Sequence, residues 1–296
     1  MLVVGISSRA LFDLEEADRV YQLEGINAYR QYQREHEPEL LGKGTAFPLV
    51  ESLLRLNSLT NKKLVEVVVM SRNQPDAGMR IFNSINHYQL DITRSAFTGG
   101  NPLSPYLQAF CVDLFLSKNE ESVQQAIDAG FAAAQIFDPP EGYEPDTENI
   151  RIAFDADAVL FSDESEQIYK SHGLEHFQAH EVKYANKPMK EGPFAKFIKT
   201  LSYIQRTLGH SSPLRIAIVT ARNSPAHERV LNTLRAWNVY PDEAFFLGGL
   251  PKDEVLRAFR AHIFFDDQEK HLNSASRIVP SGKVPYSSSS LLKDKQ

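Results

Sequence analysis

Slid along itself by 149 positions, this chain of 296 residues meets its own pattern. Between positions 80 and 118, ten of 39 residues recur. Arg80 falls on Arg229, Asn83 on Asn232, Phe97 on Phe246, Gly99-Gly100 on Gly248-Gly249 and Pro102 on Pro251. Leu107, Ala109, Phe110 and Phe115 fall on Leu256, Ala258, Phe259 and Phe264. Average composition gives about one coincidence in seventeen positions, so chance is a poor account. Small shifts extend the match. Arg72-Asn73-Gln74-Pro75 pairs with Arg222-Asn223-Ser224-Pro225, Tyr21 and Gly25 with Tyr169 and Gly173, and Leu11-Phe12 with Leu160-Phe161. A chain written twice is expected to build one arrangement twice.

That arrangement is legible in the second copy. A strand at 151–154 leads into a turn and about fifty residues of helical pattern, where Phe194, Phe197, Ile198, Leu201 and Ile204 recur at helical spacing. Strands follow at 214–219, 244–247 and 262–265, with helices between them. Strands alternating with helices predict an α/β fold with parallel sheets. We expect two tandem Rossmann-like halves, each with a cap-like helical insertion after its first strand. The expected boundaries are a first half at 1–137, a Pro- and acid-rich linker at 138–149, a second half at 150–286 with its insertion at about 165–210, and a flexible tail at 287–296.

Composition narrows the setting. A formal net charge of −6 provides no basic excess to attract nucleic acid or an anionic membrane. No apolar run reaches membrane-spanning length. Met1-Leu2-Val3-Val4-Gly5-Ile6 lacks the basic lead of a signal peptide and reads as a strand, so the cytoplasm is the expected compartment. The single cysteine, Cys111, excludes an internal disulfide, and its apolar flanks predict a buried, inert thiol.

Polar chemistry is confined to the second copy. The first strand ends at Asp155-Ala156-Asp157, the second at Thr220, a later helix opens with Pro251-Lys252, and the last strand ends at Asp266-Asp267. Ligands of α/β sheets sit at the carboxyl ends of the strands. Four carboxylates gathered there repel unless a cation intervenes, and carboxylate oxygens suit Mg²⁺ with a phosphate in its shell. In the shifted alignment the matching positions are Ile6, Ser8, Met70, Leu103, Ser117 and Lys118. The first copy keeps the glycines and core residues without those groups, so the groups serve chemistry and not folding.

This constellation resembles the haloacid dehalogenase superfamily, whose pattern is D-x-D-x-[TV], then Thr or Ser, then Lys, then an acidic pair, and it is matched in order over 151–267. The chain is closer still to the cytosolic type I 5′-nucleotidases, through Ser7-Ser8-Arg9-Ala10-Leu11-Phe12-Asp13-Leu14, Ala158-Val159-Leu160-Phe161-Ser162-Asp163-Glu164 and Phe264-Phe265-Asp266-Asp267-Gln268. Ala156 departs from the glycine expected in animal members. The resemblance implies Mg²⁺-dependent hydrolysis of nucleoside 5′-monophosphates such as AMP. Asp155 would be the nucleophile and Asp157 the acid and base, with Thr220 and Lys252 on the phosphate. Asp155, Asp266, Asp267 and the main-chain carbonyl of Asp157 would be at the metal. A phosphatase for another small ester, or a nucleotide-binding assembly protein, are the alternatives. Base preference, nucleotide regulation and oligomeric state, a homo-oligomer included, stay open.

Lesser features have plainer readings. His172, His176 and His180 read as a solvated cap face. Arg222-Asn223 can reach phosphate or base, but its recurrence as Arg72-Asn73 favours a turn-bracing role. Phe161 and Tyr169 could stack on a nucleobase, although aromatics here are more often core. The two Gly-Gly pairs set strand-to-helix turns, and the loop around Lys43 lacks the spacing of a phosphate loop.

Overall fold

The computed structural model describes residues 1–293. Ten strands form one sheet, in the order β3-β2-β1-β4-β5-β10-β9-β6-β7-β8. The first five are β1 (Leu2–Ile6), β2 (Val65–Ser71), β3 (Arg94–Phe97), β4 (Leu114–Ser117) and β5 (Ala132–Ile136). The second five are β6 (Ile150–Phe154), β7 (Leu214–Thr220), β8 (Glu243–Phe246), β9 (Ile263–Asp266) and β10 (Ser281–Lys283). Each set has the same internal order and is parallel throughout. Helices cover both faces, which is why β1 and β2 are buried along their whole length.

The sets meet only where β5 pairs antiparallel with β10, Ile136 opposite Gly282. The two halves therefore run in opposite directions, and their carboxyl ends lie on opposite edges of the shared sheet. β10, Ser281-Gly282-Lys283, is three residues long and without apolar alternation, so nothing in the sequence announced it. A Cβ on Gly282 would stand 3.1 Å from Ala134 and Phe265, so glycine lets β10 fit between its neighbours.

The helical stretch after β6 is two different structures. Glu164–Lys183 bends at Gly173, whose φ of 80° and ψ of −178° few other residues adopt. Ala195–Leu208 is a core helix. Its periodic residues Phe197, Ile198, Leu201 and Ile204 are buried, and Phe194 and Phe197 pack against Phe154 and Phe265. The helical periodicity thus marked the packed helix, and only Glu164–Lys183 is left to act as a cap. Gly25 repeats the bend in Glu15–Glu35.

The C-terminal segment, expected to be flexible, is docked through Lys293. Ser288 bonds Asp128 through both backbone and hydroxyl, Ser290 donates to Asp163, and Tyr286 and Leu292 are buried with Ala158. Cys111 is exposed, contrary to expectation. It sits in a turn with φ 56° while its neighbours Phe110 and Val112 point inward. Among the described residues no helix is long and apolar enough to cross a membrane.

Candidate active site

The backbone supplies a register between the halves that the shifted alignment missed. The Asp155 N–H donates to the Phe265 carbonyl as the Ser7 N–H donates to Leu116, and Leu247 meets Thr220 as Thr98 meets Ser71. Asp155 is thus the counterpart of Ser7, not Ile6, and Thr220 that of Ser71, not Met70. Phe161 closes back on Ala156 as Phe12 does on Ser8, so Asp157 follows Ala156 as Arg9 follows Ser8. The additional residue in half two is taken up in a wider turn, where Ala158 has φ 58°.

At the carboxyl edge of half two, Asp155, Thr220, Lys252, Asp266 and Asp267 are all buried. Lys252 Nζ lies 2.6 Å from Asp266 Oδ2 and 2.9 Å from Asp155 Oδ1. Gln268 N–H donates to Asp266 Oδ1 at 2.8 Å, and His271 Nδ1 lies 3.2 Å from Oδ2. One ammonium cannot serve three buried acids equally. Burial pushes the Asp155 carboxyl up to about 7 against the pull of Lys252. Burial and the neighbouring Asp266 carry Asp267 well above the usual carboxylate range. Burial also opposes ionisation of Asp266, but there Lys252 and His271 win and hold its carboxyl low. Asp155, Asp266 and Asp267 each place a carboxylate oxygen within 4.8 Å of the others, the sole such group among the described residues. Three hard oxygen donors fit a divalent cation such as Mg²⁺. His172 and His176 are exposed and are not part of any such group.

Asp157 faces elsewhere. Its carboxylate receives two parallel hydrogen bonds from Arg222, Nε to Oδ2 at 2.7 Å and Nη2 to Oδ1 at 2.6 Å. Arg222 also grips Glu181 on the cap helix, and Glu181 is completed by Arg229 at 2.9 Å and by Ser165 and His180 at 3.0 Å. Burial works against the Glu181 charge, yet Arg222 and Arg229 hold its carboxyl low. The recurrence behind the turn-bracing reading of Arg222 fails on register, although Arg222 Nη1 does donate to the Ala226 carbonyl at 3.3 Å. Gly248 N–H meets the Arg222 carbonyl as Gly99 N–H meets Asn73, so the counterpart of Arg222 is Asn73, which donates to Tyr29 instead. Phe161 is fully buried against Trp237, centroids 5.3 Å apart, and is core.

Sequence reasoning missed Glu166, Tyr286 and Glu181. Tyr286 Oη lies 2.5 Å from both Glu166 Oε2 and Asp267 Oδ2, which ties the docked C-terminal segment to the acidic pair. Glu181 and Tyr286 lie in stretches that read as cap surface and as the last residues before a tail. Only their burial betrays them.

A mostly parallel α/β sheet with buried acids, an ammonium and a hydroxyl at one carboxyl edge defines the class: an α/β protein with a charged cluster at its strand ends. The particular family follows from comparison: a family profile described as 5′-nucleotidase matches residues 1–291, and the chain belongs to that family. It is 37% identical over 289 residues to human "Cytosolic 5'-nucleotidase 1B", an alignment covering 94% of this chain and 47% of that protein. The chain thus spans about half the length of the curated relative it matches. No solved structure matches it.

Proposed function

We propose that this chain hydrolyses nucleoside 5′-monophosphates, AMP first among them, to nucleoside and phosphate. The observation that carries the reading is the cluster of Asp155, Asp266 and Asp267 around Lys252 in a chain of 5′-nucleotidase family. Asp155 attacks phosphorus in line, forming an aspartyl-phosphate as the bond to the ribose 5′-oxygen breaks. Asp157 gives that oxygen its proton, then takes one from the water that hydrolyses the acyl phosphate. To reach the substrate, Asp157 gives up at least one hydrogen bond to Arg222, which stays anchored on Glu181. Thr220 donates to a phosphoryl oxygen, and Lys252 offsets the charge that gathers in the transition state. Mg²⁺ held by Asp155, Asp266, Asp267 and the Asp157 carbonyl would neutralise the carboxylates and polarise the phosphate.

The test is phosphate release from a panel of esters with Mg²⁺ and with a chelator. We expect fastest release from nucleoside monophosphates and none with chelator. Asp155→Asn should lose roughly 10³-fold or more in turnover while melting at the same temperature or higher. Release from no ester ends the enzyme reading, and faster release from a sugar phosphate moves the substrate to another ester class.

A further inference from the structure

The corrected register changes what half one is. Where half two has Asp155, Thr220 and Asp266, half one has Ser7, Ser71 and Ser117 at the ends of β1, β2 and β4, all buried. Leu103 stands in place of Lys252, and Arg9 in place of Asp157. These serines line a cavity of about 490 Å³, within the usual size of a small-ligand site. We propose that this cavity binds a nucleoside 5′-monophosphate and does not hydrolyse it.

The exchange of carboxylates for hydroxyls is the main argument. Acids at two of these strand ends need a metal before an anion can approach, whereas hydroxyls at all three donate to phosphate oxygens directly. Ser8 and Ser71 already face one another, oxygens 3.2 Å apart, at the floor. Arg9 Nε is buried and has no hydrogen-bond partner among the described residues. On the wall, Arg9 is held by Glu15 and Asp18, both at 2.9 Å, and Arg72 by Glu121 at 2.8 Å, and an entering phosphate takes over from those acids. The floor serines supply no activated nucleophile, since Ser7 Oγ accepts the Ala10 N–H as a helix cap and no general base adjoins it among the described residues. On the cap side, Tyr21 and Ile26 are exposed on Glu15–Glu35 and Tyr29 lies behind Tyr21, ring centroids 6.0 Å apart. They form an aromatic and apolar wall for a base. Because the halves run in opposite directions, this cavity opens on the edge opposite Asp155, and the two sites do not compete.

The experiment is equilibrium dialysis of the whole chain against the methylene phosphonate analogue of AMP, whose carbon–phosphorus bond resists hydrolysis. Two molecules per chain are expected. Arg9→Gln combined with Arg72→Gln, both partly exposed positions, should weaken one site by about tenfold or more. Phosphate release from AMP should stay within about twofold of the parent and the melting temperature should hold. No binding in the parent, or sites (one or two per chain) whose affinity the double variant leaves unchanged, each overturns the proposal. Phosphate release is read separately, so its absence would end the hydrolase reading and leave this one standing.

Discussion

At the scale of single residues, the site is decided by how few cations are shared among buried acids. Arg222 is the sharpest case, since it is buried and pairs with half-buried Asp157 and buried Glu181 at once. Removing one partner of a buried ion pair strands the other, at roughly 3 kcal/mol. Arg222→Gln should therefore lower stability by about 3 kcal/mol in denaturant unfolding, and Arg222→Lys should rescue little, because an ammonium cannot make the two parallel bonds. A loss below about 0.5 kcal/mol would show that Arg229 alone satisfies Glu181. His262 sets a pH limit. It is fully buried and accepts the Arg151 N–H at 3.2 Å, and burial pushes its pKa down to about 4, with Asp146 opposing in part. A histidine depressed on folding contributes stability above its unfolded pKa of about 6.5, and that stability is lost as pH falls from there toward 4. Between pH 7 and 4 the parent should lose about 3 kcal/mol more than His262→Gln, read from unfolding curves at each pH. Parallel curves for the two proteins would remove His262 from the account.

At the scale of elements, the cap is a helix bent by one glycine. Gly173 and Gly25 occupy equivalent bends, and nothing lies within 4 Å of a Cβ built at either. The cost of a side chain at Gly173 is then purely conformational, roughly 1–3 kcal/mol. Gly173→Ala and Gly173→Ser should lose the same amount in thermal unfolding. A much larger loss for serine would mean that packing, not backbone geometry, selects the glycine. The strand ends were legible from the sequence because a run such as 216–219 is apolar throughout and stops at a polar residue. The division of the helical stretch was not. Helical spacing says that a face is buried but not against what, and the residues at 194–204 bury theirs against β6 and β9.

At the scale of the whole molecule, the linker at 138–149 does not separate two bodies. It feeds β6 into a sheet that continues into half one through β10 and β5, while the C-terminal segment bonds Gln124 and Asp128 of half one and Asp163 of half two. A single sheet with one shared core should unfold as one unit. Scanning calorimetry should show one transition with equal calorimetric and van't Hoff enthalpies. Two resolved transitions would mean that the β5 to β10 seam yields first.

The sequence by itself determined the succession of strands and helices in each half apart from β10, the strand ends and helix start that carry Asp155, Asp157, Thr220, Asp266, Asp267 and Lys252, and the likeness to nucleotidases. These are local properties: apolar runs, polar stops and a repeat period. Tertiary structure alone decided that the halves share one sheet running in opposite directions, that Arg222 engages Asp157 and Glu181 at once, and that Ser7 and Ser117 occupy the mirror positions of Asp155 and Asp266. The reason is that a one-residue shift in a strand, or a side chain met from 65 residues away, leaves no periodic trace in the chain. Register and burial exist only once distant segments are packed together.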